Sequence, residues 1–302
     1  MLYSGVVPAA VAAVVMVAVL RLLPEELARR YAAPLAFAAA AMTGYVLLPA
    51  WAPLVPTRHW QWPIYLGSAA GLVAGSLALA AGVYRIERWL LHILAALLAA
   101  LLLVPTWEDL DPARGTWIAI FTLGAGLLSV LLDALPERLQ GRRLLTLLTI
   151  VATAGAVVLA AQVSLKFGQL GVVVAAALLG CTLGSLGRKG VPLARAILPA
   201  YTIATGGLAL AGHLELFTPH YELLAVPAMP LALWLCVYGP LARFQGRSGL
   251  AVQLPWCCCR WRPRWLGCCA PNDRRFPPGR PRFCTARTNP CRRDILDFQD
   301  FC

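Results

Sequence analysis

The chain is expected to fold as an all-α, polytopic membrane bundle of about nine transmembrane helices, N-terminus outside and C-terminus inside, followed by a non-globular tail. Three observations predict this. Residues 6–240 alternate nine times between a long apolar run and a few charged residues. Hydrophobic residues make up 60% of the 302 and charged ones 13%, about half the charged share of a soluble domain. The lysines and arginines between the runs also alternate in number from loop to loop. Lipid offers no partner to backbone N–H and C=O groups, so each crossing segment must be a helix of about 20 residues.

The first run, 6–23, lacks a basic leader and is too long and too arginine-flanked for a signal peptide. The runs at 32–54, 64–84, 89–105 and 117–135 follow, then 144–165, 170–186, 196–212 and 223–240. The loops after odd-numbered runs hold Arg21, Arg29 and Arg30, then Arg85 and Arg88, then Arg138, Arg142 and Arg143, then Arg188, Lys189 and Arg195. The even loops hold only Arg58, Arg114 and Lys166. Eleven cations against three orient the bundle, because basic loops are retained in the cytoplasm. A missed or invented helix would scramble that alternation. The expected location is a bacterial inner (plasma) membrane.

Tryptophans 51, 60, 62, 89, 107 and 117 fall near run ends, where an aromatic ring with a polar edge prefers to sit. Gly67, Gly71 and Gly75 share one helix face, as do Gly180 and Gly184, and predict close helix–helix contact. Every run is rich in Ala, Leu, Val and Gly, so internal similarity cannot establish a repeat.

Two domains are expected, a transmembrane domain over 1–250 and an Arg/Pro/Cys-rich tail over 251–302. Of the net charge of +12, residues 1–250 contribute 16 cations and 10 anions and the tail 10 cations and 4 anions. Eight of the ten cysteines lie in the tail, at 257, 258, 259, 268, 269, 284, 291 and 302. Adjacent cysteines chelate one ion poorly and no histidine accompanies them, which argues against zinc. The tail reads either as a disordered basic segment on anionic lipid or as an out-of-frame translation. Written with codons ending in G or C, Pro255–Leu266 gives an apolar run in another frame.

Ionisable groups in lipid are costly and usually functional. Three polar groups stand near span ends. They are His92, Asp133, for which Arg138 is the nearest partner in sequence, and Gln162. With no carboxylate at mid-bilayer, a proton-driven carrier is disfavoured. The last outer loop carries His213, Glu215, His220 and Glu222. These residue types suit metal binding or acid–base work, set against an amphipathic connection that simply faces water. The run at 196–212 is the most interrupted. Pro199 and the pair Gly206 and Gly207 weaken the helix, and Tyr201, Thr202 and Thr205 supply hydroxyls. Pro227 and Pro230 follow in the last run, so a path, if the bundle has one, is expected between the last two spans.

No catalytic, cofactor-binding or metal motif emerges, and no cofactor is expected. The basic excess is explained by membrane orientation, so no nucleic-acid partner is expected. The expected partners are the lipid bilayer and other membrane subunits. The leading function is a small-molecule transporter or permease-like carrier. The alternatives are a subunit of a larger membrane complex, or a membrane enzyme using the outer His/Glu loop, with the balance against an enzyme.

Overall fold

The structure, a computed structural model, describes residues 2–238 except 21, 23, 49–54, 79–83, 108, 109, 111, 140, 186–192 and 217–220. The expected tail at 251–302 therefore lies outside the described residues, as does its boundary with the transmembrane domain. All described elements are helical. They are α1 (Leu2–Leu20), α2 (Glu25–Val46) and α3, which runs as Trp62–Ala70, a π-helical turn Gly71–Gly75 and Ser76–Ala78. After them come α4 (Arg85–Leu103), α5 (Arg114–Asp133), α6 (Gly141–Gln162), α7 (Leu165–Gly184) and α8 (Leu193–Glu215). The last, α9, is a 3-10 helix over Tyr221–Leu233 and an α-helix over Trp234–Tyr238.

Among the described residues five helices are long and apolar enough to cross a membrane: Arg85–Leu103, Arg114–Arg138, Gly141–Gln162, Leu165–Gly184 and Arg195–Glu215. Three apolar stretches are shorter, at Gly5–Leu20, Tyr31–Val46 and Glu222–Leu233. The chain is thus a helical membrane protein. Several helices begin before the apolar run that marks them, because a charged first turn remains helical. α2 starts directly after Pro24, at Glu25, and α4 starts at Arg85. Glu87 caps α4 by accepting a hydrogen bond from the Tyr84 backbone N–H at 2.9 Å. α2 stops at Val46, short of the run's end at residue 54.

The glycine stripes do what their spacing predicts. Gly67, Gly71 and Gly75 lay α3 on Ala204, Ala200 and Ala196 of α8, so the two helices run antiparallel. A Cβ on Gly75 would stand 2.1 Å from the Ala196 carbonyl oxygen, closer than any side chain permits. Gly180 and Gly184 lay α7 on Ala13 and Val17 of α1, and here both chains ascend together, so this pair is parallel. Small residues make such approaches possible where lipid supplies no hydrophobic drive between helices.

α8 is the central element. Of its eighteen-residue apolar stretch 94% is buried, against 28% for α4. The expected interruption at Pro199 and Gly206–Gly207 is corrected, because α8 continues unbroken from Leu193 to Glu215. Its helical span includes Pro199 without a break. The irregular backbone lies in the π turn of α3 and in the 3-10 stretch of α9, which carries Pro227 and Pro230. The buried apolar residues form two clusters. The larger includes Phe37, Tyr45, Leu144, Val173 and Tyr201. The smaller joins Ala96 and Leu103 of α4 to Trp117, Phe121 and Ala125 of α5, and reaches Ile203 and Leu210 of α8. The first half of α5 therefore packs with α4 against α8, while Leu128 and Leu132 of α5 belong to the larger cluster.

Candidate functional site: a polar seam along α8

The seam is built where α5 meets α8. Thr122, Gly126, Ser129 and Asp133 recur along α5 at helical spacing and share one stripe. Gly126 admits the backbone of Ile93 on α4. The Ser129 and Thr202 hydroxyls are directly hydrogen-bonded across the seam. Phe121 lies against Gly206, and Trp117 packs on His213 with ring centroids 5.1 Å apart. As residue numbers rise on α8 they fall on α5, so the two helices are antiparallel neighbours over their whole length.

At one end of the seam four charges alternate in sign. The Asp133 carboxylate, 3% exposed, stands 3.5 Å from Nε of Arg88 on α4 and 3.2 Å from Nε of Arg195 on α8. Arg195 in turn donates to Glu137 at 2.8 Å. Glu137 belongs to the short helical turn Leu135–Arg138 that follows α5. The fully buried His92 lies one turn above Arg88, its Nε2 4.0 Å from Asp133. Neither His92 ring nitrogen has a hydrogen-bond partner among the described residues. The order Arg88–Asp133–Arg195–Glu137 compensates charge by charge, which is what a low-dielectric setting requires.

This corrects two expectations. Asp133 does not pair with Arg138, whose guanidinium instead sits 5.8 Å from the centroid of the Tyr238 ring on α9. Asp133 is also a buried carboxylate, which the sequence pattern did not lead one to expect. Arg88 and Arg195 read as orienting loop charges, because the pattern carries no information about which helices are neighbours. One signal was available: Arg88 and His92 lie four residues apart, on one face of a helix otherwise almost free of polar groups.

The opposite end of the bundle holds the residues proposed for an outer site. His213 is buried against Trp117. Glu215, two residues on, points elsewhere, its Oε1 3.4 Å from Nε2 of His59 in the 3-10 turn His59–Gln61 before α3. His59 also meets the Trp107 ring edge-on at 4.9 Å. Burial pushes the His59 pKa below its ordinary value, outweighing the nearby Glu215 carboxylate, which acts to raise it. Gln61 fixes this turn by accepting hydrogen bonds from the Thr57 and Arg58 backbone N–H groups at 2.8 and 3.1 Å. Glu222 is exposed at the start of α9, and His220 lies outside the described residues. Among the described residues no three His, Cys, Asp or Glu side chains gather as a metal site.

The other proposed residues are all buried in α8. Thr202 faces Ser129 and also donates to the Leu198 carbonyl at 3.1 Å. Thr205 donates to the Tyr201 carbonyl at 2.7 Å, so its hydroxyl is satisfied within the helix. Gly207 turns away from α5, toward Pro63 and Leu103. Gln162 ends α6, half-buried. Beside the seam a cavity of about 300 Å³ lies between α5, α8 and α9, lined by apolar groups including Phe121, Leu128, Gly206, Leu210, Pro227 and Leu231.

The fold and seam define a helical membrane protein with a largely buried ionic network. No family model, curated protein or solved structure matches the chain.

Proposed function

We propose that this chain is a nine-span carrier of a small molecule, in which the α4–α5 hairpin moves against the body around α8. The observation that carries this reading is the seam itself. An otherwise apolar interface holds the Arg88–Asp133–Arg195–Glu137 chain at one end, the Ser129–Thr202 pair midway and His213 at the other end. Ionisable groups facing a bundle interior mark solute and ion pathways more often than they serve packing. The apolar cluster joining Ala96 and Leu103 of α4 to Trp117, Phe121 and Ala125 of α5 supports coupled movement of these two helices.

The helix directions support nine spans. In an alternating thread, runs of like parity ascend together and runs of unlike parity oppose. α1 and α7 are parallel, while α3 with α8 and α5 with α8 are antiparallel, as spans one, seven, three, five and eight require. Arg58, Arg114 and Lys166 gather at the end bearing His59, and Arg85, Arg88, Arg138, Arg142, Arg143 and Arg195 at the end bearing Asp133.

The test uses purified full-length protein in liposomes on a solid-supported membrane, challenged with amino acids, sugars, organic acids and inorganic ions. At least one class should evoke a protein-dependent current or uptake. A Ser129→Cys/Thr202→Cys disulfide should abolish that response, and reduction should restore it. Silence across the panel from folded protein, or a response indifferent to the crosslink, overturns the reading.

A further inference from the structure

We propose that the crevice between α5 and α9 holds one acyl chain of an anionic phospholipid, whose headgroup is bound by Arg138. This inference concerns the crevice beside the seam, with which it shares Phe121 and Gly206, and stands without the carrier reading.

Phe121, Leu128 and Leu131 supply the α5 wall of the crevice, Gly206 its floor, and Pro227 and Leu231 the α9 wall. Its volume of about 300 Å³ lies at the lower end of the range of ligand pockets, about 300–1,000 Å³. Leu123, Leu127 and Leu131 line its mouth and remain exposed on the outer surface of the bundle, the side that meets lipid tails. An apolar slot open to that side takes an apolar chain, since a water or polar solute would find no partner there.

The charge at the end of the slot selects the headgroup. Both walls continue past the crevice in the same direction. From Leu131 on α5 and from Leu231 on α9, seven residues further lead to Arg138 and Tyr238, a helical distance of about 10 Å. There the Arg138 guanidinium lies 5.8 Å from the centroid of the Tyr238 ring. Arg138 is exposed and has no ion pair among the described residues, because neighbouring Glu137 is taken up by Arg195. Exposed Arg142, the second residue of α6, stands near it in the chain and is likewise without an ion pair among the described residues. Arginine at the headgroup level next to an apolar slot complements a phosphodiester that carries net negative charge, and has no comparable attraction to a zwitterionic one.

The experiment is native mass spectrometry of the purified full chain from detergent containing equal amounts of dioleoyl phosphatidylglycerol and dioleoyl phosphatidylcholine. Retention of phosphatidylglycerol should exceed that of phosphatidylcholine by about fivefold, the ratio one arginine's attraction to anionic lipid corresponds to. Arg138→Gln should bring the two lipids level, and Arg138→Lys should keep most of the preference. Gly124→Leu, placed where nothing lies within 4 Å of a new Cβ, should fill the crevice and lower retention of both lipids without loss of folding. Equal retention of the two lipids by the parent chain overturns the proposal, as does a preference untouched by Arg138→Gln. A dimer, or a monomer whose own later residues cover the slot, would carry neither lipid and overturns it equally.

Discussion

Asp133 at the end of α5 and Arg195 at the start of α8 meet 3.2 Å apart, although 62 positions separate them in the chain. The contact joins the α4–α5 hairpin to the central helix, and Arg88 closes it from the other side at 3.5 Å. Removing the carboxylate would leave two guanidinium groups, each mostly buried, without their shared counter-charge.

Asp133→Ala should therefore destabilise strongly, by about 3–5 kcal/mol, the usual cost of stranding a buried charge. Arg195→Ala should cost less, because Arg88 still compensates Asp133. A double-mutant cycle on Asp133 and Arg195, read by thermal unfolding in detergent, should show coupling of about 1–3 kcal/mol. Additive effects would mean that the 3.2 Å pair contributes nothing of its own.

Two glycines with the same chemistry should behave oppositely. Gly75→Ala drives a methyl group to 2.1 Å from the Ala196 carbonyl and must separate α3 from α8. Gly124→Ala meets nothing within 4 Å and should stabilise α5 by about 0.5–1 kcal/mol through reduced backbone entropy. Paired melting curves test this, and a stable Gly75→Ala protein would refute the packing described for α3.

Acidification should loosen the end of the bundle that carries His59. Its pKa is lower in the folded protein than in the unfolded chain, where it is about 6.5. Between those two values the unfolded chain binds more protons, so the stability contributed here is complete above about 6.5 and is lost as pH falls through the folded pKa. Fluorescence of the adjacent Trp107 should report a titration centred below 6.5. Glu215→Gln removes the raising influence and should move the midpoint lower still. A midpoint that rises in Glu215→Gln would contradict the assigned cause.

Arg114 opens α5 and donates to the Leu101 carbonyl at 3.0 Å and the Val104 carbonyl at 3.3 Å, covering the open end of α4. Arg114→Ala should cost about 1–2 kcal/mol and raise hydrogen exchange at the α4–α5 turn first, because the last carbonyls of a helix have no partner within it.

The nine-span thread is tested by impermeant thiol labelling of intact cells. Cysteine introduced in place of exposed Arg58 should label from outside, and cysteine in place of exposed Arg142 only after permeabilisation. The reverse pattern would invert the thread.

By itself the sequence determined the solvent, the helical class and the order of the apolar segments. Those follow from local composition: a run of apolar residues in lipid has one way to satisfy its backbone. It also located the close contacts, since Gly67–Gly71–Gly75 and Gly180–Gly184 face a neighbouring helix wherever that neighbour lies. What it did not contain was the identity of the neighbour. Only the tertiary structure decided that α8 is central and unbroken, that Asp133 belongs to Arg88 and Arg195 and not to Arg138, and that His213 and Glu215 face different partners. In helices built almost wholly of Ala, Leu, Val and Gly, apolar faces are nearly interchangeable. Helix order is then set by a few polar pairs and close backbone contacts, whose partners lie far apart in the chain.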